Sequence, residues 1–329
     1  MPQSSYTYAS ARLSALSKRL LDAQTIRRMT DGSVADAMRA LLDTRYGGLA
    51  DATESDVERM IDNELVEAMQ EVRDLSPDPQ LTDLFLLRAD VQNLKTLIKA
   101  RLLHQDDPLW TAGGLFDRDT LTIMVRDQKY KALPESFQTA LRGLERQLQI
   151  RVEPQQISIA LDRAYLKHAL LASKADPVLS QYFRALADFD NVLTFLRLRA
   201  MGASISELDE VLLPEGGITH KTLMDSFELS FDLLNRVLHA SVCRDALLSG
   251  LNAMQRTGNI SEVEKARDNY LLSLISVHKY ETNTLYPIIG YYLAKEREGK
   301  AVRLVITAKR NDLPESVIRE RLVTLYGER

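Results

Sequence analysis

Residues able to do chemistry are few and scattered in this 329-residue sequence. The five histidines, His104, His168, His220, His239 and His278, never stand as HxxxH or HExxH. That spacing puts two ligands on one helix face, so a zinc site built on a single helix is excluded. Cys243 lies in VLHASVCRDALL, a run with helical apolar spacing. It reads as a buried core thiol and not as a nucleophile activated by His239. A single cysteine also excludes an internal disulfide and suits a reducing cytoplasm. Gly113-Gly114 and Gly216-Gly217 invite a phosphate-loop reading, but no GxxxxGK[ST] or GxGxxG is present. They read instead as helix terminators.

Carboxylates are numerous, yet no acid/base pair stands out. Asp106-Asp107 could open a metal motif of the prenyl-transfer type, but Pro108-Leu109-Trp110 follows and supplies no further carboxylate. Between Asp51 and Gln80 ten acids stand against two arginines, which reads as solvated helix faces. From Leu293 onward nine Lys/Arg stand against six Asp/Glu. A sharper reading of this asymmetry is that one face avoids anionic lipid and another tolerates it. The sequence thus predicts no catalytic, cofactor-binding or metal residues and no cofactor.

One acid and one base recur at fixed spacing. Asp90 and Arg101 become Asp188 and Arg199 on adding 98, and Glu298 and Lys309 on adding 208. Eleven residues are about three helical turns, roughly 16 Å along a helix. The two groups therefore cannot reach each other within one copy. Two uses remain: unrelated exposed residues, or an acid of one copy paired with a base of another across a lobe boundary.

The elements carrying these residues form an internal repeat. Leu84, Leu87, Val91, Leu94, Ile98 and Leu102 step by three or four and make one apolar stripe. Adding 98 gives Tyr182, Ala185, Phe189, Val192, Leu196 and Ala200; Asn93 becomes Asn191. The third copy, Tyr292 to Arg310, is fainter, because Lys295 and Gly299 interrupt the stripe. Spacings near one hundred predict a triplicated helical chain. Another helix precedes each copy, marked by Ile61-Asp62, Leu161-Asp162 and, loosely, Arg267-Asp268. Turns with proline separate the two helices in copies one and two, which favours antiparallel pairs. The alternation of Val302, Leu304 and Ile306 is overruled as a strand by the repeat. Ser33 should cap a helix that ends at Tyr46-Gly47-Gly48 with a left-handed glycine exit. Ser316-Val317 to Tyr326-Gly327 echoes that element, so a closed threefold arrangement would bring the two ends of the chain together.

Composition agrees with a large helical protein. Hydrophobic residues make up 45% and charged residues 27%, and no apolar run approaches the ~20 residues of a membrane span. The N-terminal stretch lacks the pattern of a signal peptide. A net charge of −4 argues against a nucleic-acid partner.

Several stretches resemble the C subunit of bacterial and archaeal V/A-type rotary ATPases, the family of the eukaryotic vacuolar d subunit. They are Tyr8-Ala9-Ser10-Ala11-Arg12, Leu42-Asp43-Thr44-Arg45-Tyr46-Gly47, and Leu86 through Leu94. Gly290-Tyr291-Tyr292-Leu293-Ala294-Lys295-Glu296-Arg297-Glu298, followed by Ala301-Val302-Arg303-Leu304, is the most specific; Glu320-Arg321-Leu322 fits too. Gly299 and Ala301 depart from the family pattern. The resemblance implies an all-α fold of three pseudo-threefold-related helical lobes forming a funnel with a central cavity. Lobe boundaries placed at the glycine pairs give residues 1–112, 113–215 and 216–329. It also implies a non-catalytic central-stalk subunit with two partners, the central shaft of the soluble head and the proteolipid rotor ring. The expected location is peripheral, on the cytoplasmic side of the plasma membrane, with no span of its own. Two other readings compete. One is an all-α enzyme whose metal or substrate site is assembled from distant residues. The other is a tetratricopeptide-like scaffold, disfavoured because its period is ~34 residues.

Overall fold

The computed structural model describes residues 5–48, 52–150, 153–229, 238–322 and 325, and among them every regular element is helical. In order the helices are α1 (Tyr6–Ser17), α2 (Ala23–Asp31), α3 (Val34–Leu42), α4 (Val57–Leu75) and α5 (Pro79–Leu103). There follow α6 (Arg118–Asp127), α7 (Glu135–Ile150), α8 (Pro154–Ala172), α9 (Pro177–Ala200), α10 (Ile205–Val211) and α11 (His220–Asp225). The last are α12 (Arg244–Thr257), α13 (Ser261–Ser276), α14 (Tyr286–Arg310) and α15 (Glu315–Arg321).

The repeat is realised in the backbone. The long helices α5, α9 and α14 hold 25, 24 and 25 residues and begin at Pro79, Pro177 and Tyr286, within one residue of the 98 and 208 offsets. Each is preceded by a shorter helix, α4, α8 or α13. In copy two Asp176 caps α9 by accepting the Leu179 N–H, and Pro177 occupies the first turn, where its missing donor costs nothing. Val302 to Ile306 lie inside α14, as the repeat requires.

The chain divides into two compact units, the boundary falling inside α5. The first holds residues 1–90, 111–115 and 275–329. Its core joins Leu41, Met60 and Ile61 of α3 and α4 to Val302, Val305 and Ile306 of α14. The gap at Gly299 has a packing reason: a Cβ there would lie 2.8 Å from the Ile61 side chain, so glycine lets α4 and α14 approach. Ser33 caps α3 in a reciprocal box with Asp36. Gly47, however, makes no left-handed exit; its φ is −74°. Glycine stands there because a Cβ would meet the Leu42 carbonyl oxygen at 2.0 Å. At the far end of the sequence α15 packs on α2, with Ile318 in the shared core and Arg319 2.6 Å from Asp31. The echo through Tyr326-Gly327 lies outside the described residues.

The second unit holds residues 91–110 and 116–274. α7 and α8 pair, α8 packs on α9, and α9 supports α10. Phe137, Leu141, Leu161, Phe183, Phe189 and Phe195 are buried in it. Tyr182 and Phe183 meet edge-to-face at 5.2 Å, as do Phe195 and Phe227 at 5.4 Å. Cys243 is buried as expected but does not sit within a helix: Leu238–Ala240 forms a 3-10 turn and Cys243 precedes α12.

Candidate functional site

The repeated acid proves to be a clamp on backbone N–H groups. Asp90 is fully buried, and its Oδ2 accepts the Leu115 N–H at 2.7 Å. Asp188, also fully buried, accepts the N–H groups of Gly217 at 2.8 Å and Ile218 at 3.0 Å on Oδ1; its Oδ2 accepts the Ser241 hydroxyl at 2.6 Å. Glu298 accepts the Leu21 N–H at 2.5 Å. Each residue whose N–H is gripped stands just before the N-cap of a short helix. Asp117 caps α6 through Thr120, Thr219 caps α11 through Thr222, and Asp22 caps α2 through Thr25.

The base holds the other end of the short helix. Arg101 donates to the Val125 carbonyl in the last turn of α6 at 2.6 Å. Lys309 donates to the carbonyls of Thr30 and Gly32 at the end of α2. Nine- or ten-residue helices are about 14–15 Å long at 1.5 Å per residue, close to the ~16 Å between acid and base. An anion at the N-terminal end and a cation at the C-terminal end also complement the helix dipole, each worth about 0.3–1 kcal/mol. In copy two the guanidinium of Arg199 lies 5.5 Å from the Phe195 ring centroid, and its Nη1 has no partner among the described residues.

Of the two readings of the acid and base, neither describes the contacts found among the described residues: the acids are buried, and Arg101 and Lys309 have other partners. Arg101 pairs with Glu145 at 2.6 Å, and Glu145 also takes the Tyr130 hydroxyl; Lys309 binds carbonyls. Sequence spacing could not show this, because the partners are main-chain groups that any residue type supplies. The glycine pairs are corrected by the same geometry. A Cβ on Gly114 would lie 2.3 Å from Asp90 Oδ1; on Gly216 it would lie 2.2 Å from the Arg184 carbonyl and 2.5 Å from Asp188 Oδ1. Gly114, Gly216 and Gly217 are carboxylate seats and not helix terminators, while Gly113 takes a left-handed φ of +83° beside the Tyr292 hydroxyl.

Copy three adds a buried ion cluster. Lys295 is 1% exposed; its ammonium lies 2.8 Å from Glu64 and 3.0 Å from Glu298, and 5.5 Å from the Tyr46 ring. Tyr46 donates its hydroxyl to Glu298, and Arg45 stands 3.5 Å from Glu64. Arg45 also pairs with Glu67 at the exposed edge, so two cations serve three carboxylates. Burial opposes the charge on Lys295, but Glu298 and Glu64 together outweigh it and raise its pKa. Burial dominates at Glu298, so its carboxyl titrates above the usual range despite Lys295. Burial likewise raises the Asp188 carboxyl against its three hydrogen bonds. Lys295 and Glu298 belong to the most specific stretch of the sequence, whereas Glu64 was hidden among the acids read as solvated. Its spacing held the signal: Val57, Met60, Ile61, Glu64, Ala68 and Val72 are all buried on one face of α4.

The remaining candidates stay apart. His278 meets Glu281 at 2.6 Å, His220 contacts the Leu213 carbonyl at 2.6 Å, and His168 packs edge-on against Phe137. Asp107 pairs with Arg118. Cys243 Sγ lies 3.1 Å from the Ser241 hydroxyl, and burial pushes the thiol up to about 12. No cluster of three or more metal-ligating side chains exists among the described residues, and no helix there is long and apolar enough to cross a membrane.

Comparison with known proteins gives one family. The model described as ATP synthase (C/AC39) subunit matches residues 9–321. The chain is 24% identical to the C subunit of the V-type sodium ATPase of Enterococcus hirae, over 93% of this chain and 94% of that protein. It is 25% identical to the C subunit of the A-type ATP synthase of Pyrococcus horikoshii, over 98% and 90%. The corresponding protein of Methanocaldococcus jannaschii is 24% identical, over 97% and 86%.

Proposed function

Because the chain belongs to the ATP synthase (C/AC39) subunit family, we propose that it is the non-catalytic coupling subunit of a V/A-type rotary ATPase. It joins the central shaft of the soluble head to the proteolipid rotor ring, peripherally on the cytoplasmic side of the membrane. It so links ATP turnover to movement of H⁺ or Na⁺. Three lobes, residues 1–112, 113–215 and 216–329, surround an opening that receives the shaft.

The observation that carries this reading is the order of the clamps. Asp90 and Asp188 each grip the lead-in to the short helix that follows in sequence. Glu298 grips Leu21, ahead of the first short helix of the chain. Glu298 and Leu21 belong to the same compact unit, so the last copy of the repeat holds the first short helix of the chain, which supports the reading. A closed collar of packed helices also suits torque transmission, because close-packed interiors deform little.

Affinity purification of the tagged full chain from detergent-solubilised membranes tests the proposal. The proteolipid ring and the shaft should both co-purify in stoichiometric amounts. Recovery of the chain with neither would refute it.

A further inference from the structure

We propose that the outward face of α7 docks a helix of a partner protein that carries two carboxylates one turn apart. This stands independently of the rotary role. α7 buries Phe137, Leu141, Leu144 and Leu148 on one side and pairs with α8. On the other side Thr139, Gly143, Arg146 and Ile150 step by four, three and four, and all four are exposed. They form a second helical stripe, turned to solvent.

Gly143 stands in the middle of that stripe. Glycine inside a helix is costly relative to alanine. At Gly250 and Gly299, also within helices, neighbouring side chains explain the cost: Ala266 and Ile61 would lie 2.9 and 2.8 Å from a Cβ. At Gly143 a Cβ would meet nothing within 4 Å. The gap has no cause inside the chain. A second helix crossing α7 there supplies one, because the side chains at a crossing set how closely two helix axes approach.

Charge selects the occupant. Arg142 and Arg146 flank the gap, both exposed. Arg142 uses its Nε on the Gln138 carbonyl at 3.1 Å, and neither guanidinium has an ion-pair partner among the described residues. The two carboxylates of α7 lie elsewhere: Glu135 in the first turn, and Glu145 on the buried side, held by Arg101. The face thus carries two unspent positive charges in a chain of net charge −4. Residues four apart on a helix have Cβ atoms about 5–6 Å apart, so two acids at that spacing on a partner helix meet both arginines. Ile150, 90% exposed, offers an apolar contact one turn beyond. An anionic bilayer would feel the same two charges but gains nothing from a gap at Gly143.

The test is photo-crosslinking of the full chain in the cells that make it, through Gln147→p-benzoylphenylalanine on the same face. One protein adduct is expected, its crosslinked peptide a helical segment with Asp or Glu at positions four apart. Arg142→Glu with Arg146→Glu should cut its yield at least about tenfold, as like charges replace two attractions. Gly143→Leu should cut it about fivefold or more by filling the crossing, while raising the melting temperature of the chain itself. Should either variant unfold, Arg142→Gln with Arg146→Gln decides, with an expected loss of about threefold. No protein adduct, an adduct to lipid, an adduct to a segment without paired acids, or a yield unchanged by these substitutions overturns the proposal. Co-purification of ring and shaft is read separately, so either reading can fail alone.

Discussion

Replacing Lys295 by methionine isolates the buried ion cluster with little change in volume. The side chain is 1% exposed, and the two carboxylates it holds, Glu64 and Glu298, are 6% and 2% exposed. Neither can relax into water when the ammonium goes, and Arg45, 3.5 Å from Glu64, is already paired with Glu67. Breaking such a buried pair costs about 3–5 kcal/mol. Native-state hydrogen exchange of the α14 amides reads this locally, with no assumption that a two-unit chain unfolds in one step. The sign of the pH dependence follows from Glu298, whose folded pKa already lies above its ordinary value. Without Lys295 it rises further, so the folded state binds the proton more tightly than the unfolded one. The penalty is then full above the folded pKa and is relieved as pH falls through it toward the ordinary value near 4.3. The deficit of the variant should therefore be smaller at pH 5.5 than at pH 8. Adding Glu64→Leu and Glu298→Gln removes the orphaned charges, while the amide oxygen introduced at position 298 can still accept the Leu21 N–H. The triple variant should regain most of the loss, since apolar replacement of a whole buried pair is often neutral. A loss below about 1 kcal/mol, an equal deficit at both pH values, or a triple variant no better than the single would refute the reasoning.

Three further outcomes are expected. Gly216→Ala should destabilise the second unit by about 2 kcal/mol or more in urea titration, because its Cβ would meet the Arg184 carbonyl at 2.2 Å and Asp188 at 2.5 Å; Gly143→Ala, with open space around it, is the control. The Cys243 thiol, buried and raised to about 12, should resist a disulfide reagent at pH 8 until denaturant is added. In the unaltered protein the raised Lys295 pKa contributes stability that is complete below the ordinary lysine value near 10.4 and lost as pH rises through the folded value; alkaline melting should show this, and the triple variant should show less of it.

The apolar stripes at three- and four-residue spacing fell inside α5, α9 and α14 and reached to within one residue of their observed ends, but began five or six residues after their observed starts. Periodicity reports burial, and burial was the cause. The purpose of Asp90, Asp188 and Glu298 was not legible, because their partners are N–H groups of Leu115, Gly217 and Leu21. Main-chain donors leave no trace in residue type. The one trace is indirect: a glycine pair some 25 residues after Asp90 and Asp188, where a Cβ would strike the carboxylate. Glu64 was readable in principle, standing on the buried face of α4, but its surroundings of ten acids drew it into the solvated set.

ATP hydrolysis and ATP-driven ion uptake, measured together in membrane vesicles whose complex was assembled without this chain, test the coupling role most directly. Hydrolysis by the head should persist while ion uptake falls to background, and adding back the purified chain should restore uptake. Uptake that continues at its full rate without the chain would contradict a coupling role.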